Sequence, residues 1–205
     1  MNTTEIKRKY IINSFEDLYK YANKQFIEYE KLEGINNWKE YDFSIDCSQD
    51  QMKFKDMLQI RCIEELTEAT HAMDNEEHFF EEITDAINFF LSAYCMLGVD
   101  FNDFENVESI LSNYGRLKAL PVYNDCAKYF YYIIDDIGDL CNLLKNRPWA
   151  QSNYLVSIYD FEERLKKLWN TFWNTIGWLG IKKEQLFEMF ERKYLVNAWR
   201  MKTGY

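Results

Sequence analysis

The sequence predicts an all-α protein, a helical bundle that forms one domain over residues 1–205. Of the 205 residues, 47% are hydrophobic and 18% are aromatic, which is enough to bury one sizeable core. The chain holds only two prolines and seven glycines, so few positions would break a helix. Along most of the chain, apolar residues recur at the spacing of one helical face. These three observations together favour helices throughout.

The helices are predicted in order along the chain. The first spans residues 14–32, where Ser14 can cap the N-terminus and apolar side chains recur on one face. Residues 33–50 mix glycine, asparagine and aspartate without a clear period, so they predict a loop, and its length suggests a function. Further helices are predicted at about 51–73, 79–97, 102–114, 122–146, 158–178 and 183–196.

Composition excludes several classes of protein. The formal net charge is -10, whereas a protein that binds nucleic acid presents a basic face to the phosphates. The five cysteines are odd in number and include no C-x-x-C pair, which favours reduced thiols over disulfides or a zinc ribbon. The sequence shows no apolar signal core and no run of about 20 apolar residues that could cross a bilayer. We therefore expect a cytoplasmic protein that binds neither nucleic acid nor membrane.

Four carboxylates lie on or beside the apolar faces of two predicted helices. On a helical wheel, Glu82 falls inside the apolar arc of its helix, and Asp85 lies at the edge of that arc. The preceding helix repeats this arrangement, with Glu65 inside the arc and Glu68 at its border. Ionised carboxylates that are buried together require a bound cation or strongly raised pKa values. Because oxygen ligands favour Mg²⁺ or Mn²⁺ over zinc, the sequence predicts such a site between the two helices.

A second metal chemistry is open on the sequence. The pair Glu68-x-x-His71 is half of the ligand set found in di-iron helical bundles. The matching half is missing, because the other histidine, His78, follows an asparagine rather than a glutamate at this spacing. His71 also faces Glu64 instead of the apolar arc that holds Glu65. The clustered carboxylates therefore favour Mg²⁺ over a di-iron centre.

The acidic segments resemble the signature of a known superfamily. EELTE at 64–68, followed by EITD at 82–85, is similar to the E-E-x-x-E…E-x-x-D signature of the all-α nucleoside triphosphate pyrophosphatases. This superfamily includes MazG and the dimeric dUTPases. Shorter segments at 85–92 and, more weakly, at 23–38 are also similar to the dimeric dUTPases.

The end of the sequence resembles the same branch. KYLVNAWRMKTGY at 193–205 is similar to the closing motif of the dimeric dUTPases, roughly K-N-x-x-N-x-x-R-Q-x-N-G-Y. The matching positions are Lys193, Asn197, Arg200, Gly204 and Tyr205. Both motifs occur in the family's order on a chain with a helical pattern, so the sequence looks like a member of the branch that includes phage dCTPase-dUTPases.

The resemblance implies a homodimeric hydrolase that converts dUTP into dUMP and pyrophosphate. It implies that Mg²⁺, for which Mn²⁺ can substitute, is held by the catalytic carboxylates of Glu65, Glu68, Glu82 and Asp85. A carboxylate of this cluster would accept the proton of the attacking water. Glu65 is expected to take this role, with its neighbour Glu64 as the alternative.

The resemblance also implies a set of substrate-binding residues. Lys193 and Arg200 are expected to bind phosphate oxygens, the guanidinium as a fork and the ammonium as a point charge. Asn197 is expected to face the edge of the pyrimidine, with Gln25 as a second candidate. Tyr205 belongs to the same substrate-binding set.

Some positions depart from the family pattern. Tyr194 stands where the family usually has asparagine, Met201 where it has glutamine, and Asn88 where it often has histidine. These positions concern the base and sugar more than the metal, so dCTP or a modified pyrimidine nucleotide stays open as the substrate. The alternative from another class is a non-catalytic helical protein that binds a nucleotide or a partner on the same scaffold.

The final residues are predicted to be mobile in the absence of a nucleotide. After a helix that ends near Val196, the segment 197–205 contains a glycine and several polar side chains, with too few apolar residues to anchor it. We expect this segment to become ordered over a bound triphosphate and to bring Arg200 onto the phosphates.

Overall fold

Every regular element that the structure describes is a helix. The protein is represented by a computed structural model that describes residues 12–32, 48–114, 123–144 and 157–204. The α-helices are α1 (Phe15–Leu32), α2 (Ser48–Lys55), α3 (Ile63–His71), α4 (Glu76–Met96), α5 (Val107–Ser112), α6 (Tyr123–Leu143), α7 (Ile158–Trp178) and α8 (Lys183–Thr203). The predicted all-α helical bundle is therefore confirmed.

The helix predicted at 51–73 contains an irregularity. A π-helical segment, Asp56–Cys62, joins α2 to α3, and the residues on both sides of it keep right-handed helical dihedral angles. The chain therefore continues as one rod whose hydrogen-bond pattern changes in the middle. Most of the loop predicted at 33–50 lies outside the described residues, although Ser48–Lys55 is helical from its first residue. The helix predicted at 102–114 is a 3-10 turn followed by α5.

Helix α8 is longer than the sequence predicted, so the expected helix end near Val196 is wrong, while the mobility expected of the segment from Asn197 onwards stays a prediction. The helix continues to Thr203, and Gly204, with a φ of 67°, ends it in the left-handed conformation. Tyr194 and Asn197 are buried, because α8 packs against α1 and α4. Packing of this face therefore stabilises a segment whose own composition is polar. Tyr205 lies outside the described residues.

Helix α4 contacts several other helices of the bundle. It packs against α1, α3, α8 and the π-helical segment. In its C-terminal half, the ring of Phe90 stacks on Phe172 of α7 with centroids 3.8 Å apart. The hydroxyl of Tyr94 donates a hydrogen bond of 2.7 Å to the carbonyl of Leu165. The N-terminal half of the same helix carries Glu82 and lies beside α3 and α8, where the acidic and basic motifs meet.

The cysteines that the structure describes lie in the interior. Cys62, Cys95, Cys126 and Cys141 are buried free thiols. Burial raises the pKa of Cys141 to about 12, so its thiol stays protonated at neutral pH. The prediction of reduced, mostly buried thiols holds for these four, and Cys47 lies outside the described residues.

Across the ranges that the structure describes, none of the helices combines the length and the apolar character that a bilayer crossing requires.

Candidate functional site

Three of the predicted metal ligands meet where α3 packs on α4. Glu65 of α3 and Glu82 and Asp85 of α4 each place a carboxylate oxygen so that the three atoms lie within 4.8 Å of one another. A short turn at 72–75 joins the two helices, and the side chain of Asn75 caps α4 by accepting a hydrogen bond from the backbone of His78. Glu82 is the most buried of the three, at 8% exposed, as its place in the apolar arc predicted.

The other acids of the motif have different environments. Glu68 is exposed, and its carboxylate lies outside this three-residue group, although its charge acts on Glu65. Its role as a fourth ligand stays a prediction. Glu64 is also exposed, and its carboxylate lies 3.8 Å from the guanidinium of Arg61. Of the two candidates for the proton acceptor, the structure therefore brings Glu65, and not Glu64, into the acidic group.

The di-iron interpretation gains no support from the described residues. Glu68 and His71 are both exposed, on the outer surface of α3. His78 lies at the start of α4, where its imidazole contacts Glu82 rather than a second Glu-x-x-His pair.

The carboxyl group of Glu65 has a strongly shifted pKa. Burial, a hydrogen bond with Glu82 and the negative charges of Asp85 and Glu82 raise this pKa from 4.5 to about 8. When carboxyl groups are crowded together and poorly exposed, one of them tends to be protonated, because adjacent negative charges repel each other. A proton therefore occupies Glu65 near neutral pH when no cation is present.

The metal-free protein is expected to lose stability as the pH rises from 4.5 to about 8, the interval between the ordinary and the folded pKa of Glu65. In this interval the unfolded chain ionises Glu65 while the folded protein keeps it protonated, so the folded state binds more protons and its stability falls with pH. Melting temperatures of wild type and Glu65→Gln, measured in a chelator across this interval, would test the expectation. The decline should be shallower in Glu65→Gln, and equal slopes would contradict the shifted pKa.

A lysine from the C-terminal helix neutralises the edge of the acidic group. The ammonium of Lys193 forms an ion pair with Oδ2 of Asp85, and these side chains are 27% and 15% exposed. Burial raises the pKa of Asp85, while the hydrogen bond and charge of Lys193 oppose this shift. The closing motif of the sequence thus contacts the acidic motif directly, in a partly buried pair.

A cleft of about 390 Å³ opens beside this pair, between α1, the π-helical segment, α3, α4 and α8. Six predicted site residues line it: Gln25, Glu65, Asp85, Lys193, Asn197 and Arg200. Another cavity, of about 440 Å³ beside Gly177 and Tyr114, is lined by none of them. The volume of the cleft suits a small organic ligand.

Two amide groups in the cleft wall have polar atoms with no hydrogen-bond partner. They are Nε2 of Gln25, on α1, and Oδ1 of Asn88, on α4, and both atoms are buried. A buried donor or acceptor without a partner costs about 1 to 3 kcal/mol, so such atoms usually bind a ligand or a water molecule. Asn197, also buried, lies in the same wall. The cleft wall therefore carries three amide side chains, those of Gln25, Asn88 and Asn197.

Several residues of the cleft were not predicted from the sequence. Arg61 of the π-helical segment lines it, and its guanidinium forms long ion pairs, 3.8 Å to Asp56 and to Glu64. Lys53 lines it as well and pairs with the buried carboxylate of Glu30. Arg61 precedes Glu65 by four residues, and this same-face spacing was a signal that could have identified it. For Lys53 no such signal exists, since its partner is on another helix.

The donor set fits a hard divalent cation. Three carboxylates converge, and carboxylate oxygens are the ligands that Mg²⁺ and Mn²⁺ prefer. Without a cation, the proton on Glu65 and the ammonium of Lys193 reduce the negative charge of the three carboxylates. A bound cation would neutralise the same charge. Glu65, Glu82 and Asp85 would hold such an ion.

No family model, no curated protein and no solved structure matches this chain. The resemblance to the dimeric dUTPases therefore depends on the motifs alone, and function has to be inferred from the geometry of the cleft.

Proposed function

We propose that the protein is a Mg²⁺-dependent pyrophosphohydrolase that converts a pyrimidine deoxynucleoside triphosphate, dUTP or dCTP, into the monophosphate and pyrophosphate. One observation carries the proposal. A single cleft combines clustered carboxylates, the cations Lys193 and Arg200, and amide groups that lack partners. A nucleoside triphosphate needs all three, for its metal, its phosphates and its base respectively.

The carboxylate end supports the hydrolytic step. In this reaction a water oxygen forms a bond to the α-phosphorus, the bond to the bridging oxygen of the β-phosphate breaks, and pyrophosphate leaves. Glu65 is placed to take the proton of that water, because its carboxylate belongs to the acidic group and lines the cleft. A Mg²⁺ ion held by the carboxylates would neutralise phosphate charge and polarise the attacking water.

The basic side of the cleft supports phosphate binding. Lys193 stands at the edge of the acidic group, and Arg200 lies further along the same helix and also lines the cleft. Arg61 faces them from the π-helical segment. Besides Lys53, which pairs with Glu30, three cationic side chains therefore line the cleft that Glu65 and Asp85 also line. Guanidinium groups bind phosphate oxygens in pairs, which would orient the chain of phosphates along the cleft.

The amide groups that line the cleft support binding of a pyrimidine, but they do not distinguish uracil from cytosine. Gln25 offers a donor, Asn88 offers an acceptor, and the amide of Asn197 offers both. Uracil and cytosine each present donors and acceptors side by side, and an amide can rotate to serve either order. A modified pyrimidine fits the same description.

The reaction is tested by incubating the protein with Mg²⁺ and each of the common deoxynucleoside triphosphates, and separating the products by ion-exchange chromatography. We expect dUTP, dCTP or both to give equal amounts of monophosphate and pyrophosphate, and a chelator to stop the reaction. Release of single phosphates, or no turnover of any pyrimidine nucleotide or its modified forms, would contradict the proposal. Binding without turnover would support the non-catalytic alternative on the same scaffold.

The resemblance also supports a homodimer as the working form, and this assembly is part of the proposal.

A further inference from the structure

His78 contacts the most buried carboxylate of the acidic group. Its Nδ1 lies 3.0 Å from Oε1 of Glu82, one helical turn further along α4. The distance to Oε2 of Glu81 is 4.0 Å, too long for a hydrogen bond. The imidazole itself is 52% exposed, so one edge faces solvent while the other faces the interior carboxylate.

The start of α4 fixes the position of this histidine. Asn75 caps the helix by accepting a hydrogen bond of 3.3 Å from the backbone N–H of His78, which is the third residue of the first turn. From there, a spacing of four residues places His78 and Glu82 on the same face. The backbone therefore determines where the imidazole lies before any ligand enters the cleft.

The contact has a consequence for metal binding. A carboxylate that binds a cation through one oxygen commonly accepts a hydrogen bond on the other, and this second contact fixes its orientation. Glu82 is almost fully buried, so an unfixed carboxylate there would have little solvent to satisfy its second oxygen. Nδ1 of His78 lies close enough to Oε1 to fix the orientation of this carboxylate, and an oxygen of the same carboxylate lies within 4.8 Å of the ligand atoms of Glu65 and Asp85.

We propose that His78 is a positioning residue that holds the carboxylate of Glu82 in the orientation required to bind the divalent cation. The inference rests on the metal site of the proposed function. His78 touches neither the cleft lining nor the expected substrate.

A positioning contact between His78 and Glu82 would affect metal affinity, whereas an ordinary surface pair affects only the stability of the helix. Exposed pairs at this spacing contribute little to the stability of a helix, whatever ligand is present. A positioning contact acts on the affinity for the cation, and loss of such a contact typically weakens metal binding by about 10- to 100-fold. Because the imidazole is more than half exposed, its replacement should leave the fold intact.

The test measures Mn²⁺ binding to the full chain by isothermal titration calorimetry, at a pH above the ordinary histidine pKa of about 6.5. His78→Phe removes the donor, and His78→Gln keeps an N–H that can reach the same oxygen. His71→Phe, at the exposed histidine of α3, is the matched control. We expect His78→Phe to bind Mn²⁺ about 10- to 100-fold more weakly than wild type. His78→Gln should recover most of the affinity, and His71→Phe should bind like wild type.

Equal Mn²⁺ affinity in wild type and His78→Phe would overturn the positioning role while leaving the metal site intact. A loss in His78→Phe that His78→Gln does not recover would overturn it as well, because the hydrogen bond would then not be the cause. Absence of Mn²⁺ binding in the wild-type protein would instead refute the metal site itself. Melting temperatures in a chelator, expected to be similar in all four proteins, verify that the variants fold.

Discussion

Replacing Glu82 by glutamine is expected to abolish pyrophosphohydrolase activity without unfolding the protein. The change removes one of three converging carboxylates and preserves the shape of the side chain. Loss of a partner that only orients a metal ligand costs about 10- to 100-fold, so loss of a ligand should cost more than about 100-fold in turnover. Because Glu82 is buried beside two other acids, the metal-free variant should melt at the same temperature as wild type or higher.

The variant should also lose its thermal response to Mg²⁺. At about 100 times its dissociation constant, a ligand of the folded state adds about 2.7 kcal/mol to the free energy of unfolding. Scanning calorimetry with and without Mg²⁺ should show this increase in wild type and only a small one in Glu82→Gln. Glu81→Gln is the control, since Glu81 is adjacent in sequence and lies outside the three-residue group. Full activity in Glu82→Gln would show that the ion binds elsewhere.

Lys193→Met is expected to affect turnover and metal affinity in opposite directions. Its ammonium is assigned to a phosphate oxygen, and a hydrogen bond to a charged group contributes about 1.5 to 3 kcal/mol, so turnover should fall by about 10- to 150-fold. In the metal-free protein the same ammonium pairs with Asp85. Its removal frees a ligand and takes a positive charge from the site, so Mn²⁺ should bind more tightly.

Two controls separate these effects. Lys202→Met removes an exposed lysine from the same helix and should change neither property. Arg200→Met removes a cation of the cleft that pairs with none of the three carboxylates in the structure, so it should lower turnover with a smaller gain in Mn²⁺ affinity. Calorimetry and initial rates provide the two measurements. Weaker Mn²⁺ binding in Lys193→Met would contradict competition between the ammonium and the cation.

Periodicity predicted the helices well because burial on one face leaves a regular trace in the sequence. It also placed Glu82 in the interior, which the structure confirms. The same method failed at the π-helical segment, where hydrogen bonds span one more residue and the helical wheel loses its phase. Arg61 lies within this segment, and the helical pattern did not indicate that it lines the cleft. The length of α8 was missed because packing on other helices, rather than local composition, stabilises its last turns.

The contacts that form the cleft could not be predicted from the sequence, because they join residues on different helices. The contact of Lys193 with Asp85 joins α8 to α4, and no local spacing announces it. The contact of His78 with Glu82 lies within one helix, so the four-residue spacing could have indicated it. The resemblance to the dimeric dUTPases supplied the set of substrate residues, and four of them, Gln25, Lys193, Asn197 and Arg200, line one cleft.

Helix α4 carries the acidic group and the aromatic stack at different points along its length. Glu82 and Phe90 are eight residues apart, which corresponds to about 12 Å of helical rise. Effects of substitutions usually become additive beyond about 7 to 10 Å. Changes at the acidic end can therefore accumulate without weakening the aromatic stack, and repacking of the stack can proceed without altering the carboxylates. If the acidic end has the proposed function, evolution could alter its specificity while the thermal stability that depends on the aromatic stack is adjusted separately.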